Sequence, residues 1–281
     1  MNNPVHYREY APPDALRRHL RCAWHLRVDA APGRVDTVYP DGCCEIIAHR
    51  AAPLRAYDAV RGWQPQVPLL FAGQQRTAVR LAADSPADCL GVRLQPAASA
   101  TIAAGALPVL RDRIVDLASL DPGFALAFGN AALRADPDAA VAAVFAVFGT
   151  HVAQIDPRVE AAVLELEGCD GDIPIADLAS GNGMSRRAFQ SLFRERVGLS
   201  AKEFARIRRL QATIRLLDGG DTPVAELAIA GGFADQAHAT RELRRVTGAT
   251  PARLREALRT DRDGESSVRL AAAFVRGRLA T

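Results

Sequence analysis

The sequence lacks several features that would define other classes of protein. No apolar run reaches the roughly 18 residues that a membrane-spanning helix needs, and the most apolar stretch, residues 139–153, is shorter and contains His151. The first residues, MNNPVHYREY, lack the basic start and apolar core of a signal peptide. The cysteines are odd in number and have no metal-ligand spacing: Cys22, Cys43, Cys44, Cys89 and Cys169. These absences predict a soluble, cytoplasmic, reduced protein without a metal site, a cofactor or a membrane segment.

Lysine is almost absent, and the basic residues are unevenly placed. Lys202 is the only lysine among 35 basic residues, and the formal net charge of +3 is too small to indicate a partner. Residues 184–215, however, contain nine basic and two acidic residues, and residues 241–255 contain five basic residues and one acidic residue. Local basic stripes favour a polyanionic partner, although two solvated helix faces would give the same composition.

The first part of the chain has the pattern of short strands. The segment VDTVYPDGCCEIIAHR places β-branched and apolar residues on both sides of Asp41-Gly42, which predicts a tight hairpin. In ADCLGVRLQP the residues Leu90, Val92 and Leu94 share one strand face, and Pro96 ends the strand before a short helix. We therefore expect an antiparallel β barrel or sandwich with short helices over residues 1–120.

The pattern changes to helix from about Asp121. Residues 121–155 are rich in alanine and carry Asp-Pro pairs that suit helix starts, which predicts a helical connector. Helices continue over residues 156–260, followed by a tail, residues 261–281, with a short helix after a polar break. The fold class predicted for the whole chain is α+β, with two domains of ordinary size.

The helical part contains an internal repeat of about fifty residues. The segment IPIADLASGNGMSRRAFQSLFRERVGLS (173–200) aligns with TPVAELAIAGGFADQAHATRELRRVTGAT (222–250), with one inserted residue in the second copy. Each copy has a proline before a short apolar helix, a glycine turn, and a second helix that starts near Ser185 or Asp235 and ends at a glycine. This pattern predicts two helix-turn-helix motifs, each with a basic second helix.

At these residues the sequence resembles the AraC/XylS family of transcription regulators. The resemblance covers about residues 156–260 and rests on LASGNGMSRRAFQSLFRERVGLS, RIRRLQATIRLL, VAELAIAGGFADQAH and GATPARLR. The family usually has serine where Ala234 and Ala237 stand and a large apolar residue at Ala239, so the second motif departs from the pattern. The segments VYPDGCCEII and LGVRLQPAAS resemble sensor-type domains that precede such DNA-binding domains. The resemblance implies a regulator that binds double-stranded DNA, with RNA polymerase, a small-molecule effector and a second copy of the chain as candidate partners.

Helical spacing and the family pattern together give a predicted DNA face. The predicted base contacts are Arg187, Gln190, Ser191, Gln236, Thr240 and Arg241. The predicted phosphate contacts are Arg186, Arg194, Arg206, Arg209, Arg244 and Arg245. Residues 200–218 have apolar side chains at helical spacing and no glycine or proline, which predicts one continuous helix between the motifs with arginines along it.

Two other functions remain open for the N-terminal half. One is an enzyme or thiol sensor recruited to DNA, built on Cys43, Cys44, Glu45 and His49, although a core cysteine is the better interpretation. The other is a pure adaptor whose front domain only dimerises. An effector site would require a cavity, for which Trp24, Glu45 and Arg93 are candidate lining residues. We expect no catalytic residue.

Overall fold

The computed structural model describes residues 5–28, 35–103, 105–219 and 222–262, and within these ranges it contains ten strands and ten α-helices. The strands are β1 (Val5–Tyr10), β2 (Leu20–Val28), β3 (Val35–Val38), β4 (Glu45–His49), β5 (Arg55–Asp58), β6 (Gly62–Pro65), β7 (Leu69–Ala72), β8 (Val79–Ala82), β9 (Ala87–Leu94) and β10 (Ile114–Asp116). The helices are α1 (Leu107–Leu110), α2 (Pro122–Ala132), α3 (Pro137–Gly149), α4 (Pro157–Gly168), α5 (Ile175–Gly181), α6 (Arg186–Val197), α7 (Ala201–Gly219), α8 (Val224–Ala230), α9 (Gln236–Thr247) and α10 (Pro251–Arg262). The short helix predicted in the tail lies outside the described residues.

The strands form two antiparallel sheets. A six-stranded sheet has the order β1-β2-β9-β4-β7-β10, and a four-stranded sheet has the order β3-β8-β5-β6. Leu90, Val92 and Leu94 lie on the face of β9 that packs against helices, as their period of two predicts, whereas Ala87 and Cys89 pack on the opposite face toward the smaller sheet. The α+β class and the antiparallel N-terminal sheets are therefore confirmed.

The hairpin predicted around Asp41-Gly42 is wrong. The strand before this turn, β3, pairs with β8 in the small sheet, while the strand after it, β4, pairs with β7 and β9 in the large sheet. Gly42 does have a positive φ of 85°, but the turn carries the chain from one sheet to the other. A sequence pattern specifies that a strand exists and where it turns, whereas its partner depends on contacts that are distant in the chain.

Residues 121–155, the predicted helical connector, also contribute side chains to the N-terminal core. Helices α2 and α3 pack together and against the large sheet, and Phe124, Phe128 and Phe148 are fully buried there beside Phe71 and Val92. The three phenylalanine rings contact one another with centroid distances of 5.2–6.2 Å. The alanine-rich composition thus reflects close packing of two helices on a sheet, because small side chains allow close approach.

Helices α4 to α10 form the C-terminal part, with α7 running as one continuous helix between the two motifs. The sequence predicted this helix at residues 200–218, and it is found at Ala201–Gly219. Phe204 and Ile207 belong to the core of the first motif, while Leu210, Ile214 and Leu217 belong to the core of the second. No helix in the described ranges is long and apolar enough to cross a membrane.

The N-terminal part contributes side chains to both of these helical cores. Ala97 and Ala98, in a short 3-10 helix after β9, are buried in the core of the first motif. Tyr39 is buried in the core of the second motif, where Ala78 also packs. The sheet domain and the C-terminal helices are therefore joined through packed side chains as well as through the chain itself.

Candidate nucleic-acid interface and ligand cavity

The first helix-turn-helix consists of α5, a tight turn and α6. Gly183 adopts a φ of 64° in the turn, and the Met184 N–H donates to the Ala179 carbonyl at 2.9 Å. The Ser185 hydroxyl accepts the Ala188 N–H and caps α6, which ends at Gly198 with a φ of 88°. Glycine is required at both turns because side chains rarely adopt positive φ.

The second motif repeats this geometry with α8 and α9. Gly232 has a φ of 66°, the Phe233 N–H donates to Ala228 at 2.9 Å, Asp235 caps α9, and Gly248 ends it with a φ of 75°. Helices α6 and α9 both contain twelve residues, and their first residues are fifty positions apart in the sequence. The first residues of α5 and α8 are 49 positions apart. The inserted residue predicted from the alignment therefore lies in the turn, at Ala234, and does not alter the second helix.

The six predicted base contacts lie on the two second helices, at their outer surfaces. Arg187, Ser191, Gln236 and Arg241 are exposed, and Gln190 and Thr240 are half-buried at the flank of each helix. Within the described ranges, none of these six side chains has a hydrogen bond or ion pair to the rest of the protein. Gln190 and Thr240 occupy equivalent positions, as do Ser191 and Arg241, so the two copies present different side chains from the same geometry.

The predicted phosphate contacts divide into two groups. Arg186, Arg194 and Arg244 are exposed and have no partner among the described residues. The other three, in contrast, are held by partners within the protein. Arg206 is paired with both oxygens of Glu242 at 2.8 and 2.9 Å, Arg245 is paired with the same carboxylate at 3.1 Å, and Arg209 donates to the Gly232 carbonyl at 3.4 Å.

Arg206 and Arg209 thus have partners within the protein, and their contact with phosphates stays a prediction. Arg206 joins α7 to α9, and Arg209 joins α7 to the turn of the second motif. Arg208 is 5% exposed and faces Glu167 at 3.7 Å, and Arg215 is paired with Asp170 at 2.6 Å. A period of 3.6 distinguishes apolar from polar faces, but it does not reveal which arginine finds an acidic partner on another helix.

His238 packs inside the second motif. Its ring contacts Phe233 edge-on with a centroid distance of 5.5 Å, and its Nδ1 lies 3.3 Å from the Ala234 N–H, which donates to it. The half-buried ring therefore supports the turn of the second motif.

The three candidate effector-site residues line one cavity between the two sheets. Trp24 lies on β2, Glu45 on β4 and Arg93 on β9, and the cavity has an empty volume of about 980 Å³ including its mouth. The remaining walls are mainly apolar and include Leu26, Val38, Ile47, Leu54, Leu70 and Leu81. A concave site with mainly apolar walls and few polar groups has the character of a small-molecule site.

An ion cluster closes one end of this cavity. The guanidinium of Arg93 is 2% exposed, and its Nε lies 2.9 Å from Glu45 and 3.2 Å from Asp41, while Nη1 lies 3.4 Å from Glu9. Burial lowers the pKa of Arg93, but Glu45 and Asp41 outweigh this effect and hold the pKa well above its ordinary value. Burial raises the pKa of Glu45, Arg93 lowers it, and Asp41 raises it further. A buried charge is stable in such a place only because it is paired.

Three further residues of the cavity were missed by the sequence analysis. Asp41 was considered only as part of a turn and His49 only as part of a thiol site, and Gln211 lies on α7, far from the strands in sequence. The Gln211 amide nevertheless donates to the Pro40 carbonyl at 2.5 Å and so connects the cavity wall to the helix between the motifs. The alternation of Glu45, Ile47 and His49 along β4 was the one available signal, because residues two apart share a strand face.

The cysteines do not form the thiol constellation considered from the sequence. Cys43 and Cys44 precede β4 and are both buried, and the thiol nearest to His49 is Cys89, directly opposite on β9, with 3.2 Å between Sγ and Nδ1. Burial raises the pKa of the Cys89 thiol to about 12 and lowers that of His49 to about 4. The pair is thus neutral, whereas a nucleophilic cysteine needs a thiolate. The described residues contain no group of metal-ligating side chains.

Comparison with known proteins gives matches to both halves of the chain. A family model described as a helix-turn-helix domain matches residues 178–257, and a domain of unknown function, DUF6597, matches residues 8–116. The probable transcription factor PqrA of Proteus vulgaris is 32% identical over 84 residues, which are 30% of this chain and 69% of that protein. The transcriptional activator NphR of a Rhodococcus species is 29% identical over 143 residues, 49% of this chain and 42% of that protein.

Among solved structures, ToxT from Vibrio cholerae aligns with 90% of this chain and 98% of its own, at 11% identity and a TM-score of 0.44. The chain spans less than half of the length of NphR. The match to PqrA, by contrast, covers more than two thirds of that protein. The chain belongs to the AraC/XylS family of transcription regulators.

Proposed function

We propose that this chain regulates transcription by inserting α6 and α9 into two successive major grooves of one DNA duplex. The observation that supports this most strongly is the repetition of a capped twelve-residue helix with an exposed, unpartnered polar face, once in each motif. Arginine and glutamine recognise guanine and adenine by paired hydrogen bonds, so Arg187, Gln190, Gln236 and Arg241 are assigned to base reading, together with Ser191 and Thr240. Arg186, Arg194 and Arg244 are assigned to phosphates.

The geometry of α7 supports simultaneous binding of both motifs. A helix of nineteen residues is roughly 28 Å long at about 1.5 Å per residue, which approaches the roughly 34 Å of one DNA turn. Arg206 and Arg209 fix α9 and its turn to this helix, and Arg245 shares the carboxylate of Glu242 with Arg206. These contacts limit rotation of the second motif relative to the first, which a fixed groove spacing requires.

The chain is further proposed to respond to a small molecule through the contacts between its two halves. Tyr39 lines the cavity and is also buried in the core of the second motif. Gln211 lines the same cavity from α7, and the Ala78 N–H donates to the Val246 carbonyl at 2.8 Å at the end of α9. A ligand that moves this wall would therefore change how α9 sits relative to α6, which is a population shift between two geometries.

The experiment that tests the DNA-binding proposal is selection of bound sequences from random duplex DNA with the full chain, followed by footprinting of the selected site. We expect two protected major grooves about one turn apart. Arg187→Ala and Arg241→Ala should each change base preference in a different half of the site, at a cost of roughly 1–3 kcal/mol for a good bidentate contact. A footprint of one groove, unchanged in position by both variants, would contradict the two-groove reading.

A further inference from the structure

The cavity between the sheets has an electrostatic character that limits what it can bind. The described residues that line it contribute two carboxylates, Asp41 and Glu45, and one guanidinium, Arg93. His49 also lines it and is neutral at physiological pH because burial lowers its pKa to about 4. Since Arg93 already contacts Asp41, Glu45 and Glu9, its charge is shared among three carboxylates.

This arrangement disfavours an anionic ligand. A ligand carboxylate would need a cationic side chain to pair with. The guanidinium of Arg93 is buried and is already paired with acidic side chains. The glutamines at the cavity, Gln66, Gln75 and Gln211, offer hydrogen bonds without charge. A ligand anion next to Glu45 would also oppose ionisation of the Glu45 carboxyl group. The pKa of this group is already raised by burial and by Asp41.

A positively charged ligand, in contrast, meets favourable groups on several sides. Trp24 and Tyr39 line the cavity together with Asp41 and Glu45, and aromatic faces attract cations as carboxylates do. The desolvation cost of a cation is offset where carboxylates and aromatic rings replace its hydration shell.

A second, independent observation lies at the far end of the same strand. The side chain of His49 is buried, and its Nε2 has no partner with hydrogen-bond geometry among the described residues. Gln66, which also lines the cavity, acts on the ring through a side-chain hydrogen-bond contribution that raises the pKa of His49 against the larger lowering by burial. His49 follows Glu45 by four residues on β4, so the two side chains share a strand face and lie roughly 13 Å apart at about 3.3 Å per residue.

We propose that the cavity binds an elongated organic cation, with its charged nitrogen at Glu45 and Asp41, its apolar body between the sheets, and a polar group at His49. The proposal deepens the ligand-responsive function given above and rests on it for its biological meaning. It names the chemical class that the cavity recognises, and binding itself can be measured without DNA.

The test uses the purified full chain and ten-carbon probes that differ only in their ends: decylamine, 1-decanol, decanoic acid and 10-aminodecan-1-ol. Calorimetry at pH 7.4 should give the order 10-aminodecan-1-ol, decylamine, 1-decanol, decanoic acid, from tightest to weakest. Glu45→Gln should weaken binding of decylamine at least tenfold and leave 1-decanol unchanged, because glutamine keeps an acceptor for Arg93 and removes the charge. Glu165→Gln, an exposed acidic position on α4, is the matched control and should change neither probe.

Two outcomes would overturn the charge assignment: decanoic acid binding as tightly as decylamine, or decylamine binding no tighter than 1-decanol. His49→Phe should remove the advantage of 10-aminodecan-1-ol over decylamine, and equal binding of these two probes by the unmodified chain would remove His49 from the site. Circular dichroism of each variant confirms the fold. Failure of the cavity proposal leaves the footprint on DNA intact, whereas failure of the DNA-binding proposal leaves the calorimetric order intact, so the two are distinguishable.

Discussion

Arg194 and Arg244 occupy equivalent positions in the last turns of α6 and α9, fifty residues apart, and both are exposed. If both helices lie in grooves of the same duplex, each guanidinium neutralises one phosphate. Each contact contributes about −0.9 to the slope of log affinity against log salt. A fourfold rise in salt, from 50 to 200 mM, then costs about 3.5-fold in affinity for each contact.

Arg194→Ala and Arg244→Ala should therefore each make the slope about 0.9 less steep, and the double variant about 1.8. The measurement is fluorescence anisotropy of a labelled duplex carrying the selected site, titrated at four salt concentrations. The free energy of unfolding should stay nearly constant, because neither side chain has a partner among the described residues and exposed substitutions usually change it by less than about 0.5 kcal/mol. Arg134→Ala, an exposed arginine after α2, is the control and should leave the slope unchanged.

The equivalence of the two positions makes the result decisive. If Arg244→Ala leaves the slope unchanged while Arg194→Ala reduces it, the second motif does not contact the backbone and serves as a scaffold for the first. If neither variant changes the slope, the assignment of these helices to DNA is wrong. Base preference should be the same in both variants, since phosphate contacts carry little sequence information.

Three further predictions concern the N-terminal domain and its contact with α7. Because burial lowers the pKa of His49 from 6.5 to about 4, the stability that its neutral form contributes is complete above pH 6.5 and is lost as pH falls toward 4. Between pH 7 and pH 4.5 the free energy of unfolding of the unmodified chain should therefore fall by about 2 kcal/mol more than that of His49→Gln, as measured by chemical denaturation. Equal losses in the two proteins would contradict this. Cys44→Ser should lower the free energy of unfolding by about 1–2 kcal/mol, because Cys44 is fully buried, and should change DNA affinity little. Cys169→Ser should lower the free energy of unfolding less. Loss of DNA binding without loss of stability would favour a thiol sensor. Gly42→Ala should cost about 2–4 kcal/mol, because Gly42 has a φ of 85° and a Cβ there would lie 2.7 Å from the Phe204 ring; an unchanged melting temperature would mean that the turn is not held against α7.

The local features of the C-terminal half were readable from the sequence because they depend on neighbours in the chain. Caps at Ser185 and Asp235 and glycine turns at the helix ends are short-range signals, and two copies in register reinforce each other. The apolar spacing along residues 200–218 likewise predicted α7 to within one residue at each end. Such agreement is expected where local preference and tertiary packing favour the same structure.

What the sequence could not predict is how distant segments pair. The turn at Asp41-Gly42 has the composition of a hairpin, yet it connects two sheets, because β3 and β4 find partners that come later in the chain. In the same way, the sequence alone does not predict that Glu242 lies beside Arg206. Trp24, Glu45 and Arg93 are candidates for an effector site because of their side-chain chemistry. Only the register of the sheet brings these three residues to one cavity.

The contacts between the halves also indicate how large a regulatory signal can be. Moving Tyr39 out of the core of the second motif would cost roughly 1.5–3 kcal/mol, the value for a large buried side chain. Breaking the Gln211 to Pro40 hydrogen bond while both groups stay buried would cost about 1–3 kcal/mol. Allosteric coupling energies are typically of this size, about 1–3 kcal/mol or 5- to 150-fold in affinity. If a ligand in the cavity acts as proposed, changing only one of these two contacts is enough to alter DNA affinity measurably. Complete separation of the halves, which would also expose Ala97 and Ala98, requires a larger difference in ligand affinity between the two states. A small shift of α9 relative to α6 is thus the less costly way for this architecture to respond.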